Sequence, residues 1–177
     1  MIPRHRRYIE VFLGGGSMFF RKNKSELNVL NDKHNDLINL YMSVVQNYDE
    51  FMHFCESLLK SRTLFIEFKE ELKEQLMYVN MPDPQRASKY FYVIKNAFNT
   101  NFHNPIGKEA EWNREMWNCL TESKKKLENT MIENLDFREL FHRYPPKEDD
   151  FWYLDPPYVI AGERGDYYVH SLDMNDH

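Results

Sequence analysis

Asp155-Pro156-Pro157-Tyr158 is the segment of this chain whose residue types are best suited to do chemistry. It follows Phe151-Trp152-Tyr153-Leu154, an aromatic run that predicts a buried strand. Two consecutive prolines stop that strand and stiffen the turn, because each fixes its own φ and lacks an N–H. An acid, a backbone carbonyl and an aromatic ring are thereby held together at the carboxyl end of a strand, where open α/β sheets bind ligands. The set suits a flat heterocycle that carries an amino group. The exocyclic amine of adenine is a poor nucleophile because its lone pair is delocalised into the ring. Hydrogen bonds from it to the Asp155 carboxylate and the Pro156 carbonyl would draw the nitrogen toward tetrahedral geometry, and the same acceptors would stabilise the positive charge that develops. The ring of Tyr158 would stack on the base and orient it. The alternative is a proline-rich turn after a core strand.

Positioning such a set requires a sheet, and the chain offers strand candidates at both ends. Tyr8 to Leu13 is apolar apart from Glu10 and runs into Gly14-Gly15-Gly16, which predicts a strand, a glycine turn and a helix opening near Ser17. The dinucleotide fingerprint fails, with Phe19 where its third glycine would stand. Glycines still let a ligand approach the backbone, and a following helix favours a carboxylate as readily as a phosphate. Leu27 to Leu30 is a second strand candidate, closed by Asn31-Asp32. An acid there can take both hydroxyls of a ribose, or cap a helix from Lys33 onward. Asp136-Phe137 follows a third candidate, Met131 to Leu135. That pair would hold an adenine amine and ring, or serve as N-cap and core aromatic.

Between the strands the apolar spacing is helical: Leu37 to Tyr48, Phe51 to Leu59, Leu64 to Leu76, Ala87 to Phe98 and Trp112 to Leu127. Pro82 and Pro84 punctuate, and Asn99 to Gly107 is a polar loop. The pattern predicts an α/β sheet with a helical insertion at 49–130, the core being 1–48 with 131–177. A net charge of −5 means that any nucleic-acid contact needs a local basic patch. Cys55 and Cys119 form no paired motif and are expected to be reduced core thiols of a cytoplasmic protein. No stretch approaches a membrane span, and the seven histidines show no metal-ligand spacing. No serine or cysteine stands in a nucleophile elbow.

Taken together, these segments resemble the Dam-type (D12 class) amino-adenine DNA methyltransferases. Tyr8-Ile9-Glu10-x-Phe12-x-Gly14-Gly15-Gly16 is similar to the family's cofactor loop, and Leu30-Asn31-Asp32 to its ribose-binding segment. Arg86-Ala87 to Phe98-Asn99 resembles the segment leading into the target-recognition hairpin, Asp136-Phe137 the pair at the cofactor adenine, and Asp155 to Tyr158 the catalytic tetrad. The resemblance implies a partial Rossmann-like S-adenosylmethionine-dependent sheet that methylates adenine N6 in double-stranded DNA, typically in a restriction–modification setting. It assigns Asp155, Pro156, Pro157 and Tyr158 to catalysis, and Glu10, Phe12, Gly14, Gly16, Asp32, Asp136 and Phe137 to the cofactor. The target base would be flipped into the pocket. Arg86, Lys89, Lys95, Asn99, Asn101, His103 and Lys108 of the insertion would contact DNA.

The chain departs from the family at both ends. No Lys-x-Gly-Gly-Lys motif precedes the cofactor loop, and the sequence stops at Asp173 to His177, where the family opens its next helix. The expectation is a truncated core whose Asp155 strand is an open apolar edge, covered by a complementing chain or a second copy. The alternatives are a non-catalytic remnant or half-enzyme that binds DNA or a partner, and a methyltransferase for RNA or protein amides.

Overall fold

The computed structural model of the protein describes residues 2–23, 25–74, 79–97 and 112–156. Packing divides the chain into two units, residues 1–34 with 129–177, and residues 35–128. The first unit is built on four parallel strands, β1 (Arg7–Glu10), β2 (Leu27–Asn31), β3 (Thr130–Glu133) and β4 (Asp150–Tyr153), in the order β3-β2-β1-β4. Glu10 is in register with Leu30 and with Tyr153, and Asn31 with Glu133. The strands therefore end level along one edge. From β1 the chain winds outward through β2 and β3, while β4 lies on the other side of β1, so the gap between β1 and β4 is the topological switch point.

The sheet is apolar on both faces, as parallel sheets require. Ile9, Val11 and Val29 pack with Leu140 of α7 (Phe137–Arg143), all four fully buried. Each such side chain contributes about 1.5–3 kcal/mol of burial. Trp152 joins this face and stacks on Phe141 at 4.7 Å. On the opposite face Tyr8 stacks on Phe151 at 5.9 Å and meets Phe19 of α1 (Ser17–Arg21) at 6.4 Å. Arg7 and Asp150, partners across the β1–β4 pair, form an ion pair whose side chains are 11% and 1% exposed.

The strands are shorter than the apolar runs predict. β1 ends at Glu10, before the expected Leu13, because the chain turns there: Val11 donates to the Tyr153 carbonyl at 3.1 Å and Leu13 to the Asn31 carbonyl at 2.9 Å. β3 ends at Glu133, before the expected Leu135, since Asn134 and Leu135 already belong to a loop held by side chains. Among the described residues β4 is an edge of the sheet, as the four-strand layout implied.

The second unit contains α2 (Asn35–Gln46), α3 (Tyr48–Ser57), α4 (Arg62–Glu71), α5 (Pro84–Asn96) and α6 (Arg114–Leu127). Ser61, Asp83 and Asn113 cap α4, α5 and α6 with their side chains, and Pro84 opens α5 where its missing N–H costs nothing. Phe65, Phe68, Tyr92 and Val93 form a buried cluster against which Trp112 packs. Within this unit α2 packs with α5. Asn39 and the Asp83 backbone exchange hydrogen bonds at 3.0 and 2.7 Å, and Arg86 grips Asp36 at 2.6 and 3.0 Å. Cys55 is buried as expected, and burial pushes its thiol pKa up. Cys119 is exposed instead: Leu120 and Leu127 take the inward positions of α6, which leaves its neighbour outside.

Candidate functional site

The four carboxyl strand ends bring four of the expected segments to one edge of the sheet. After β1 the chain turns through Gly14 (φ 49°) and Gly16 (φ 64°), left-handed conformations that glycine adopts without strain. A Cβ on Gly14 or Gly15 would meet no atom within 4 Å, so the loop faces open space. After β2, one Asp32 oxygen accepts the Gly14 N–H at 2.9 Å and the other accepts the His34 N–H at 2.9 Å. Asp32 thus joins two segments that lie 18 residues apart. It does not cap α2 directly, since that helix opens at Asn35.

After β3, Asp136 is the N-cap of α7 and accepts the Arg138 N–H at 3.0 Å. Burial pushes its carboxyl pKa up, but the Arg138 N–H, Lys33 at 3.3 Å and the Arg138 charge outweigh that and hold it below the ordinary range. Phe137 packs on the Ile9–Leu140 cluster and lies 5.9 Å from Phe12, so both readings of the Asp136-Phe137 pair are compatible with its place at this edge. The Arg138 guanidinium lies over the Phe137 ring at 4.5 Å.

Glu10 is 2% exposed and sits behind the loop. Its carboxylate accepts the Tyr8 hydroxyl at 2.7 Å and a hydrogen bond from the Phe19 backbone in the first turn of α1. Burial raises its pKa to about 7, against the lowering effect of these bonds and of Lys22. Lys22 is itself buried, bonded to Asn28 at 2.8 Å and Ser25 at 2.7 Å, and lies over the Tyr8 ring at 4.4 Å.

After β4, Asp155 is exposed and accepts the Tyr153 hydroxyl at 3.3 Å. Pro156 follows it, whereas Pro157 and Tyr158 lie outside the described residues. Asn99, Asn101, His103 and Lys108 lie outside them as well. In the second unit Arg86 is engaged with Asp36 and the Glu74 carbonyl. Lys89 pairs with Glu71 and lies over Phe68 at 5.3 Å, and Lys95 is exposed, its ammonium 5.6 Å from the Phe91 ring centre. No cluster of potential metal ligands occurs among the described residues, and no described helix is long and apolar enough to cross a membrane.

Sequence reasoning passed over Asn31, Asn134, Lys33 and Tyr153. Asn31 carried a readable signal: a polar residue closing a strand directly after the apolar pair Val29-Leu30.

Similarity to known proteins agrees with this geometry. The chain is 28% identical over 162 residues to the type II methyltransferase M.CviBI of Paramecium bursaria Chlorella virus NC1A, covering 85% of this chain and 58% of that protein. It is 25% identical over 195 residues to the type II methyltransferase M.MjaIII of Methanocaldococcus jannaschii, covering 97% of this chain and 65% of that protein. The chain therefore spans about three fifths of the length of these relatives. The family model of the D12 class matches residues 1–177, and the chain belongs to the D12 class N6 adenine-specific DNA methyltransferase family.

Proposed function

We propose that this chain carries the cofactor-binding and amine-accepting parts of an adenine-N6 DNA methyltransferase. The observation that supports this best is the convergence at one sheet edge of a glycine loop tied to Asp32 with Asp155 at the end of the strand adjacent to β1. S-adenosylmethionine, the expected cofactor, supplies an electrophilic methyl group carried on sulfur. The residues fit it: the loop at Gly14 and Gly15 opens onto free space, and the Asp32 carboxylate and the Phe12 and Phe137 rings are partly exposed beside it. Asp32 would take the ribose hydroxyls, Asp136 and Phe137 the adenine, and Phe12, Gly14 and Gly16 the methionine end. Glu10, behind the loop, would hold its backbone in place.

Asp155 and the Pro156 carbonyl accept hydrogen bonds from the target amine, and the Tyr153 hydroxyl orients the carboxylate. Pro157 and Tyr158 would complete the tetrad, as the resemblance of the motif implies. Residues 49–130 would carry target recognition, with Lys95 the described basic candidate that is neither ion-paired nor buried.

Calorimetric titration of S-adenosylmethionine into the full chain, followed by methylation assays on adenine-containing duplex DNA, tests this. Asp155→Ala is expected to bind cofactor as the wild type does and to transfer no methyl group. A folded wild-type chain that binds no cofactor would overturn the proposal. A methyltransferase for RNA bases or protein amides is the second reading, because the Asp155-Pro156 acceptors suit a planar amine whatever polymer carries it. A substrate panel separates the two. The expected partner on β4, a second copy or a complementing chain, is tested by light scattering.

A further inference from the structure

The side chain of Asn31 has no part in the site as described, yet it is 1% exposed and fully engaged at the point where β2 leaves the sheet. Its Nδ2 donates to the Val11 carbonyl at 3.0 Å and to the Leu135 carbonyl at 3.1 Å, while its Oδ1 accepts the Leu135 N–H at 2.9 Å. Its own carbonyl accepts the Leu13 N–H at 2.9 Å. Both donors of the carboxamide and one acceptor are thus spent on backbone groups that the diverging strands no longer pair with one another. An apolar residue of similar volume would withdraw the partner from the buried Val11 carbonyl and from the half-buried Leu135 carbonyl and N–H.

We infer that Asn31 is a positioning residue that sets the mutual placement of the three loops forming the cofactor site; this rests on the proposed function. Val11 immediately precedes Phe12, Leu135 precedes Asp136 and Phe137, and Asn31 itself precedes Asp32. Phe12, Asp136 and Asp32, one from each of the groups assigned to the methionine end, the adenine and the ribose, therefore each directly follow a residue that this side chain holds or belongs to. Asn134 reinforces the arrangement by donating to the Asp32 carbonyl at 2.9 Å. A ligand that spans all three loops is sensitive to their relative placement, whereas the sheet beneath them is held by its own core.

The test compares Asn31→Ala and Asn31→Leu with Val29→Ala, a core truncation on the same strand that lowers Tm while leaving the Asn31 hydrogen bonds to the loops in place. Calorimetry with S-adenosylmethionine, run well below every Tm, is expected to give at least tenfold weaker binding for both Asn31 variants and wild-type binding for Val29→Ala. Equal binding by all variants, or equal losses in the Asn31 and Val29 variants, would overturn the inference. Amide hydrogen exchange without ligand keeps it testable if the wild type binds no cofactor, a result that would count against the proposed function alone. Exchange at Leu13 and Gly14 is then expected to be faster in Asn31→Ala than in Val29→Ala, and equal rates would overturn the inference.

Discussion

The Gly14 N–H donates to the Asp32 carboxylate at 2.9 Å, so the acid at the end of β2 holds the glycine loop at the end of β1. The second oxygen of Asp32 holds the His34 N–H. The same side chain thus shapes the loop and offers its remaining lone pairs to a ligand.

Replacing Asp32 removes both contributions together. Asp32→Ala is expected to weaken S-adenosylmethionine binding by about 10–100-fold, the range for losing charge-assisted hydrogen bonds. Calorimetric titration measures this, and an unchanged Kd would take Asp32 out of the site.

Glu10 makes stability depend on pH. Burial raises its carboxyl from the ordinary 4.5 to about 7, with the Tyr8 hydroxyl, the Phe19 backbone, Lys22 and Asp155 as its electrostatic neighbours. Between these values the native chain holds a proton that the unfolded chain has released. Its stabilisation is complete below pH 4.5 and is lost as pH rises through about 7, amounting to at most about 3 kcal/mol. Urea unfolding across this range should show the slope in the wild type and its loss in Glu10→Gln. Identical slopes would assign the titration to another group.

The Arg7–Asp150 pair fixes β4, and with it Asp155, against β1. Asp150 also accepts the Lys147 N–H at 2.8 Å, and the Arg7 hydrogen bond holds its carboxyl pKa below the usual range despite burial. Arg7→Ala leaves this carboxylate buried without its partner and is expected to cost about 3–5 kcal/mol. Because the Asp150 pKa is depressed, the pair's stabilisation is present above the unfolded carboxylate range and disappears as pH falls through the native value. Thermal unfolding of the variant at neutral pH, showing a drop of several degrees in Tm, is the check.

Arg86 separates a structural role from a DNA-contacting one. Its guanidinium grips an Asp36 side chain that is only 2% exposed. Arg86→Ala is expected to destabilise the chain by about 3 kcal/mol while leaving DNA affinity and its salt dependence unchanged. A reduced salt slope at unchanged Tm would instead return Arg86 to the DNA interface.

Much of the site could be read along the chain because its signals are local. Asp155-Pro156-Pro157-Tyr158 declares a stiffened strand end, Gly14 to Gly16 a turn with left-handed backbone, and Asp32 and Asp136 acids at strand ends. The α/β class followed from where helical and strand-like spacing alternate. The partners of each helix did not follow: the spacing at Leu37 to Tyr48 shows a helix, but its pairing with α5 rests on the Asp36–Arg86 and Asn39–Asp83 contacts, which join residues about fifty apart. The basic residues of α5 carried the same ambiguity, because charge along a chain does not tell whether a guanidinium meets a phosphate or a buried aspartate.

The sequence by itself determined which candidate residues have types suited to this chemistry and that Asp32, Asp136 and Asp155 follow strands, since residue type and local backbone preference are properties of short segments. Only the tertiary structure decided that Asp32 closes on Gly14, that Glu10 lies buried behind the loop, and that one carboxamide at Asn31 ties Val11 to Leu135. Those pairings depend on strand order and register, and these are settled by long-range packing of both sheet faces rather than by any local preference.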